Sequence, residues 1–235
     1  MTFIVAEIGV NWDGNFDLAK EMMINAKNAG CNAVKFQAFE ENLVKDHPER
    51  SRLVKSTISK TNIETINELS KSVGIEWFCT PMYPEAVDLL VLFVKRFKIR
   101  EYDSRPLLEN KISPLFEKIL KTNKEIIISC QKSPRNITHY HNPIIKWLYC
   151  VPKYPCEISD IDFSNINDFD GFSNHSPQII VPLCAAILGS QIIEVHITSD
   201  KSKNFIDNNV SFDYSELTEM VRQIRISEKI KKIVQ

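Results

Sequence analysis

The sequence predicts an α/β protein, a (β/α)8 TIM barrel built as a single domain. Three observations predict it. Eight short apolar runs recur along the chain, most of them separated by segments of helical periodicity. The runs are continuously apolar rather than alternating, which marks strands of a parallel sheet buried on both faces. Eight such strand–helix units fit within 235 residues, close to the size of a small barrel of this type. A doubly wound open sheet is the alternative arrangement.

TFIVAEI (2–8) reads as the first strand, since β-branched and apolar residues run without a break into Glu7. FDLAKEMMINAKNAG (16–30) follows as a helix, with apolar residues three and four apart and a closing glycine. CNAVKFQ (31–37) is the second strand, and a polar loop runs on to about residue 60. TNIETINELSKSVG (61–74) is a helix with Thr61 or Asn62 as its cap. IEWFCT (75–80) is the third strand, and PEAVDLLVLFV (84–94) a helix begun by proline. RFKIR (96–100) is the fourth strand and SPLFEKILKTN (113–123) its helix. EIIISC (125–130) and IIKWLYC (144–150) are the fifth and sixth strands. DGFSNH (170–175) is a weak seventh, followed by the helix PQIIVPLCAAILG (177–189). SQIIEVHIT (190–198) is the eighth, and FDYSELTEMVRQIRISEKIKKIV (212–234) closes with a long helix. Two connections are irregular. Residues 131–143 are too short and proline-punctuated for a full helix, and 151–169 read as loop with at most a helical turn.

Composition narrows the function. Apolar residues make up 43% of the chain and the net charge is −1, with no basic block, which argues against nucleic acid as a partner. The longest apolar stretches are far shorter than a membrane span, and no signal peptide is expected, since the first residues read at once as a strand. The six cysteines form no CxxC pair and sit mostly in apolar runs, as reduced thiols of the cytoplasm do.

Chemistry in such a barrel sits at the C-terminal ends of the strands. There the sequence places Glu7, then Lys35 and Gln37 on one face of the second strand, Thr80, Lys98 and Ser129. Tyr154 follows the sixth strand, the seventh presents Ser173 and His175, and the eighth His196. A strand-end Ser, Thr or His taken singly reads as a cap or a structural residue. A lysine inside a buried run must be paired or functional, because a bare buried ammonium is costly. Two lysines with hydroxyls suit a phosphate or carboxylate anion. Two histidines on neighbouring strands suit a divalent metal whose other positions go to water and substrate. Glu7 and Gln37 then suit the hydroxyls of a polar substrate. Cys79, Cys130 and Cys150 read as buried thiols, and the loop run HYH (139–141) as solvated.

The segments AEIGVNWDG, VKFQAF, WFCTP, FKI, IIISC, YCVPKYP, GFSNHSP and IIEVHIT, in this order from residue 6 onwards, resemble the sialic acid synthase (N-acetylneuraminate synthase) family over nearly the whole chain. The resemblance implies a (β/α)8 barrel. It implies condensation of phosphoenolpyruvate with an N-acetylated amino sugar such as N-acetylmannosamine, and a divalent metal, manganese or magnesium. By motif position it implies that Lys35, Thr80, Lys98, Ser129 and Ser173 bind phosphoenolpyruvate. His175 and His196 would bind the metal, and Glu7, Gln37, Tyr154 and Asp207 the sugar. Glu7, Lys35, Lys98 and Asp103, the family's acid, are the catalytic set on this basis.

The chain departs from the family pattern at several positions. Trp12 stands for a family histidine, Glu101 for a phosphate-binding serine, and Pro152 for a residue that contacts phosphoenolpyruvate. A glutamate beside a phosphate is repulsive unless Arg100 or Arg105 compensates. Lys132 or Arg135 offers the anion a further cation. The family's C-terminal antifreeze-like domain has no room here, so the expectation is a homodimer, a separate antifreeze-like partner, or a different substrate. Two other functions remain open: an aldolase or lyase with Lys35 or Lys98 as a Schiff base, and a non-catalytic barrel that binds a sugar or a protein.

Overall fold

The computed structural model describes residues 1–234. Eight parallel strands close into a barrel in chain order. They are β1 (Phe3–Gly9), β2 (Ala33–Ala38), β3 (Glu76–Pro81), β4 (Arg96–Ile99), β5 (Glu125–Cys130), β6 (Ile145–Cys150), β7 (Gly171–Asn174) and β8 (Ile192–His196). The expected fold is therefore the observed one. Pairing of β1 with both β2 and β8 completes the ring, and the register sets Glu7 beside Lys35 on one side and His196 on the other. Three key polar side chains thus share one level.

The outer layer holds α1 (Phe16–Ala29), α2 (Arg50–Ser56), α3 (Ile63–Val73), α4 (Pro84–Leu90), α5 (Glu101–Leu108), α6 (Pro114–Leu120), α7 (Ile180–Ile187) and α8 (Tyr214–Val234). Local chemistry sets several ends. Asn15 caps α1 by accepting from the amides of Asp17 and Leu18, and Gly30 stops it at φ 94°. The buried face of α1, Ala19, Met22, Met23 and Ala26, has the spacing read from the sequence. Ser113 caps α6 ahead of Pro114.

Some expectations need correction. Asn62 precedes α3, but its side chain turns back to the Thr57 carbonyl and the Ser59 amide instead of capping the helix. The polar loop before residue 60 contains α2, and α5 lies where no helix was expected. The helix of 84–94 stops at Leu90, and that of 177–189 spans only Ile180–Ile187. Residues 131–143 form no helix, as expected, whereas 151–169 hold two short 3-10 turns where at most one helical turn was expected. Trp12 is wholly buried, packs edge-on against Phe36, and donates its indole N–H to the Ser56 carbonyl. It fastens the end of α2 to the barrel.

Gly171 opens β7 where the backbones of β7 and β8 meet. A methyl group there would stand 2.1 Å from the Ile192 carbonyl oxygen and 2.8 Å from Leu148 Cδ2. Gly171→Ala is expected to destabilise the fold by about 3 kcal/mol or more, because backbone cannot move aside as a side chain does. A denaturant titration of the purified variant checks it.

Candidate active site

A cavity of about 440 Å3 opens at the C-terminal ends of the strands, within the range of small-molecule sites. It is lined by Glu7, Lys35, Gln37, Thr80, Lys98, Ser129, Tyr154, Ser173, His175, His196 and Asp207. These are all of the catalytic, substrate-binding and metal-binding candidates named from the sequence except Asp103.

Two ion pairs form the floor. Lys35 Nζ lies 2.6 Å from Glu7 Oε2 and donates to Thr80 Oγ1 at 3.1 Å. Lys98 Nζ donates to Glu194 Oε1 at 2.8 Å, and Ser173 Oγ donates to the same oxygen at 2.8 Å. Lys35 also stands 3.8 Å from that oxygen, so Glu194 is shared by two cations. Burial opposes charge on all of these groups. For Glu194, Lys35 and Lys98 outweigh burial and hold the carboxyl below its ordinary range. For Lys35, Glu194 and Glu7 outweigh burial and raise it. Lys98 comes out below its ordinary value, because burial and the neighbouring Lys35 exceed the pull of Glu194. Lys98 and Glu194 nonetheless form an ion pair at 2.8 Å, since a neutral lysine would deprive an ionised buried carboxylate of its nearest cation.

Beside this floor is a polyol-like corner. Gly9, at φ 54°, has no side chain where Glu7 Oε1, Asp207 Oδ2 and Gln37 Nε2 converge, all within 3.3 Å of the position a methyl group would take. Gln37 donates to Glu7 at 2.9 Å. Val10, Leu53, Met82 and Ile206 form an apolar wall next to the corner.

The two histidines face one another with ring centroids 5.5 Å apart. His175 Nδ1 lies 2.8 Å from the Val151 carbonyl and donates to it, leaving a lone pair on Nε2. Tyr154 donates its hydroxyl to that lone pair at 2.6 Å, with its ring stacked on the imidazole. Burial and the adjacent His196 push His175 down to about 3, so it is neutral. His196 is buried as well, yet Asp207 at 3.4 Å outweighs burial and raises its pKa. The contact with Asp207 is electrostatic, since at 3.4 Å it is not aligned as a hydrogen bond and leaves Nδ1 without a hydrogen-bond partner. With the Tyr154 hydroxyl turned aside, His175 Nε2 and the unpartnered nitrogen of His196 would give a divalent metal two protein nitrogens. Among the described residues no group of three His, Cys, Asp or Glu makes a closed metal centre.

The third region is the start of α5. Glu101 is 9% exposed and lines the cavity, with Arg105 across its carboxylate at 2.8–3.1 Å. Asp103 is not brought to the cavity and instead accepts from Arg100. It lies two residues from Glu101, about 200° round the helix. The structure also leaves Lys132 and Arg135 outside the cavity, Arg135 being paired with Asp168 at 2.6 Å. Pro152 does line it. Of the HYH run, His141 is exposed, but His139 is half-buried against Phe116, its ring 5.2 Å away.

The family model described as NeuB family matches residues 22–234. The chain belongs to the NeuB family. It is 30% identical to the N,N'-diacetyllegionaminic acid synthase of Legionella pneumophila, over 97% of this chain and 72% of that protein. It is 29% identical to the human N-acetylneuraminate-9-phosphate synthase, over 97% of this chain and 70% of that one. Among solved structures it resembles the N-acetylneuraminic acid synthetase of Leptospira borgpetersenii in complex with citrate. That match has a TM-score of 0.85 and 27% identity, covering 97% of this chain and 84% of that chain.

Two residues of this NeuB-family site escape the sequence reading. Glu194 was absorbed into the apolar run IIEV, although it lies two residues before His196 and so shares its face of β8. Asn11, wholly buried, donates to the Ile197 carbonyl and Ser211 Oγ and accepts from the Asp207 amide at 3.0 Å. It positions Asp207 from across the barrel seam. An Asn between two apolar residues, Val10 and Trp12, just beyond the first strand was the available clue.

Cys79, Cys130 and Cys150 are buried free thiols, as expected, and burial pushes Cys150 up to about 12. Of the six cysteines only Cys184 is not buried. A thiol-alkylating reagent at neutral pH is expected to label Cys184 first and the other five only on unfolding, as read by peptide mass spectrometry.

Proposed function

We propose that this chain condenses phosphoenolpyruvate with the aldehyde of an N-acylated amino sugar, N-acetylmannosamine-like, to give a nonulosonic acid and phosphate. The observation that carries the reading is the buried Glu7–Lys35–Glu194–Lys98 cluster beside two facing histidines. NeuB membership and relatives named as legionaminic and neuraminic acid synthases support it.

The reaction joins carbon 3 of the enol to the aldehyde carbon, adds water at carbon 2, and breaks the bond from carbon 2 to the phosphate oxygen. Lys98, Ser129, Ser173 and Thr80 line the part of the cavity suited to the anion. Lys35, kept charged by its two carboxylates, faces negative charge as it develops. Glu7, Gln37 and Asp207 orient the sugar hydroxyls, and the apolar wall receives the acyl methyl group. His175 and His196 would hold a divalent metal, manganese or magnesium, whose chemistry when bound is Lewis-acid polarisation of an aldehyde oxygen. The six free cysteines favour a cytoplasmic setting, and no described helix is long and apolar enough to cross a membrane.

Mass spectrometry of the acid formed from phosphoenolpyruvate, manganese and a panel of N-acetylhexosamines tests this. The expected product has the mass of both substrates plus water minus phosphoric acid. No such product from any sugar counts against the reading. A second reading, a Schiff-base aldolase, draws on the lowered pKa of buried Lys98. Borohydride with pyruvate separates the two, because the synthase is expected to trap no lysine adduct.

A further inference from the structure

Every cation of the cavity already has a carboxylate of the protein as partner. Lys35 is held by Glu7, Lys98 by Glu194, Arg100 by Asp103 and Arg105 by Glu101. An anionic ligand must therefore draw a cation away from a resident anion. The four differ in how freely they can move. The side chains of Lys35 and Lys98 are 6% and 2% exposed, whereas that of Arg105 is 53% exposed, on the open rim with its guanidinium over the Tyr102 ring. Arg105 can turn without uncovering the floor. Its present partner cannot follow, since the Glu101 side chain is only 10% exposed and starts the first turn of α5. That helix packs on β5, whose Ser129 lines the same cavity. Ser129 Oγ is buried and has no hydrogen-bond partner, so a donor stands ready for a ligand oxygen.

We propose that Glu101 is a built-in competitor anion: it occupies Arg105 at the mouth of the cavity and thereby sets how tightly a phosphoryl-bearing ligand binds beside Ser129. A phosphoryl group binds by taking Arg105 from Glu101, and it then sits near a carboxylate that has lost its partner. Affinity is lower than the cations alone would give, and Glu101 determines by how much. The inference rests on the reading of the cavity as a phosphoenolpyruvate site.

Calorimetric titration of the full chain with phosphoenolpyruvate, and separately with inorganic phosphate, tests it. Glu101→Gln and Glu101→Ser are expected to bind phosphoenolpyruvate at least about tenfold more tightly than the unchanged chain, since removing a like charge relieves a repulsion. Glu101→Asp keeps the charge and is expected to stay close to the unchanged chain. Arg105→Gln is expected to bind at least about tenfold more weakly. Thermal unfolding of each variant confirms that a folded chain is compared. If Glu101→Gln binds no more tightly, including the case in which neither chain binds, the proposal is overturned. Weaker binding by Glu101→Gln also overturns it, because Glu101 would then be positioning Arg105 for the ligand. Tighter binding without turnover of any sugar leaves this inference standing and removes the proposed reaction.

Discussion

Glu194→Ala is expected to lower the stability of the folded chain by about 3–5 kcal/mol, a large share of what a domain of this kind possesses. Glu194 is 4% exposed and is the acceptor for Lys98 and Ser173. Its removal leaves a lysine ammonium, itself 2% exposed, with no counter-ion within contact. The loss is then mostly the penalty of an uncompensated buried charge, not the net value of the pair. That distinction is measurable. Lys98→Met alone leaves the Glu194 carboxylate with Ser173 as donor and Lys35, at 3.8 Å, as its nearest cation, and is expected to be destabilising too. The double variant Lys98→Met with Glu194→Leu is expected to cost much less than the sum of Lys98→Met and Glu194→Leu made singly, because apolar groups of similar volume replace both ions. Urea unfolding of the three proteins checks the cycle. Simple additivity would mean that the pair does not act as a unit.

His175→Ala and His196→Ala are each expected to reduce product formation by at least about 100-fold, the scale of a lost Lewis acid worth several kcal/mol. The two imidazoles reach the site differently. His175 is oriented by its donation to the Val151 carbonyl and met by the Tyr154 hydroxyl. His196 is oriented by Asp207, which Asn11 holds by its backbone. Asn11→Ala is therefore expected to act through Asp207 and His196, with a smaller effect, about 10–100-fold, on metal retention. Manganese bound per chain after dialysis, measured beside turnover, separates loss of metal from loss of chemistry.

The barrel was legible because its signal is local: short, mostly apolar runs mark strands such as β1 and β5, although β7, GFSN, carries Phe172 as its single large apolar residue and gives the weakest signal. Most of the site was legible for a related reason. Polar residues at the ends of such runs have few structural excuses, and Lys35 and Lys98 have none. What was missed lacked a period. Within α5 only Leu107 is a buried apolar residue, the other buried positions are Glu101 and Ser104, and Pro106 interrupts the helix. No apolar stripe announces it. Without the helix, Asp103 and Glu101 could not be told apart by direction, although the 3.6-residue turn sends one to the cavity and the other to Arg100. Similarly, α2 buries only Leu53 and Ser56, too little to stand out from a polar loop. Trp12 shows the opposite case, a departure from a family motif that the core explains, through Phe36 and the Ser56 carbonyl.

The central claim is that the paired lysines and facing histidines of one cavity join an enolpyruvyl phosphate to a sugar aldehyde. Phosphate release by the purified chain, supplied with phosphoenolpyruvate and manganese, tests it most directly. The account predicts release only when an N-acylated amino sugar is also present, with one phosphate per product, and loss of that release in the His175→Ala and His196→Ala proteins. Release without a sugar, or release unchanged by removal of both histidines, would contradict it.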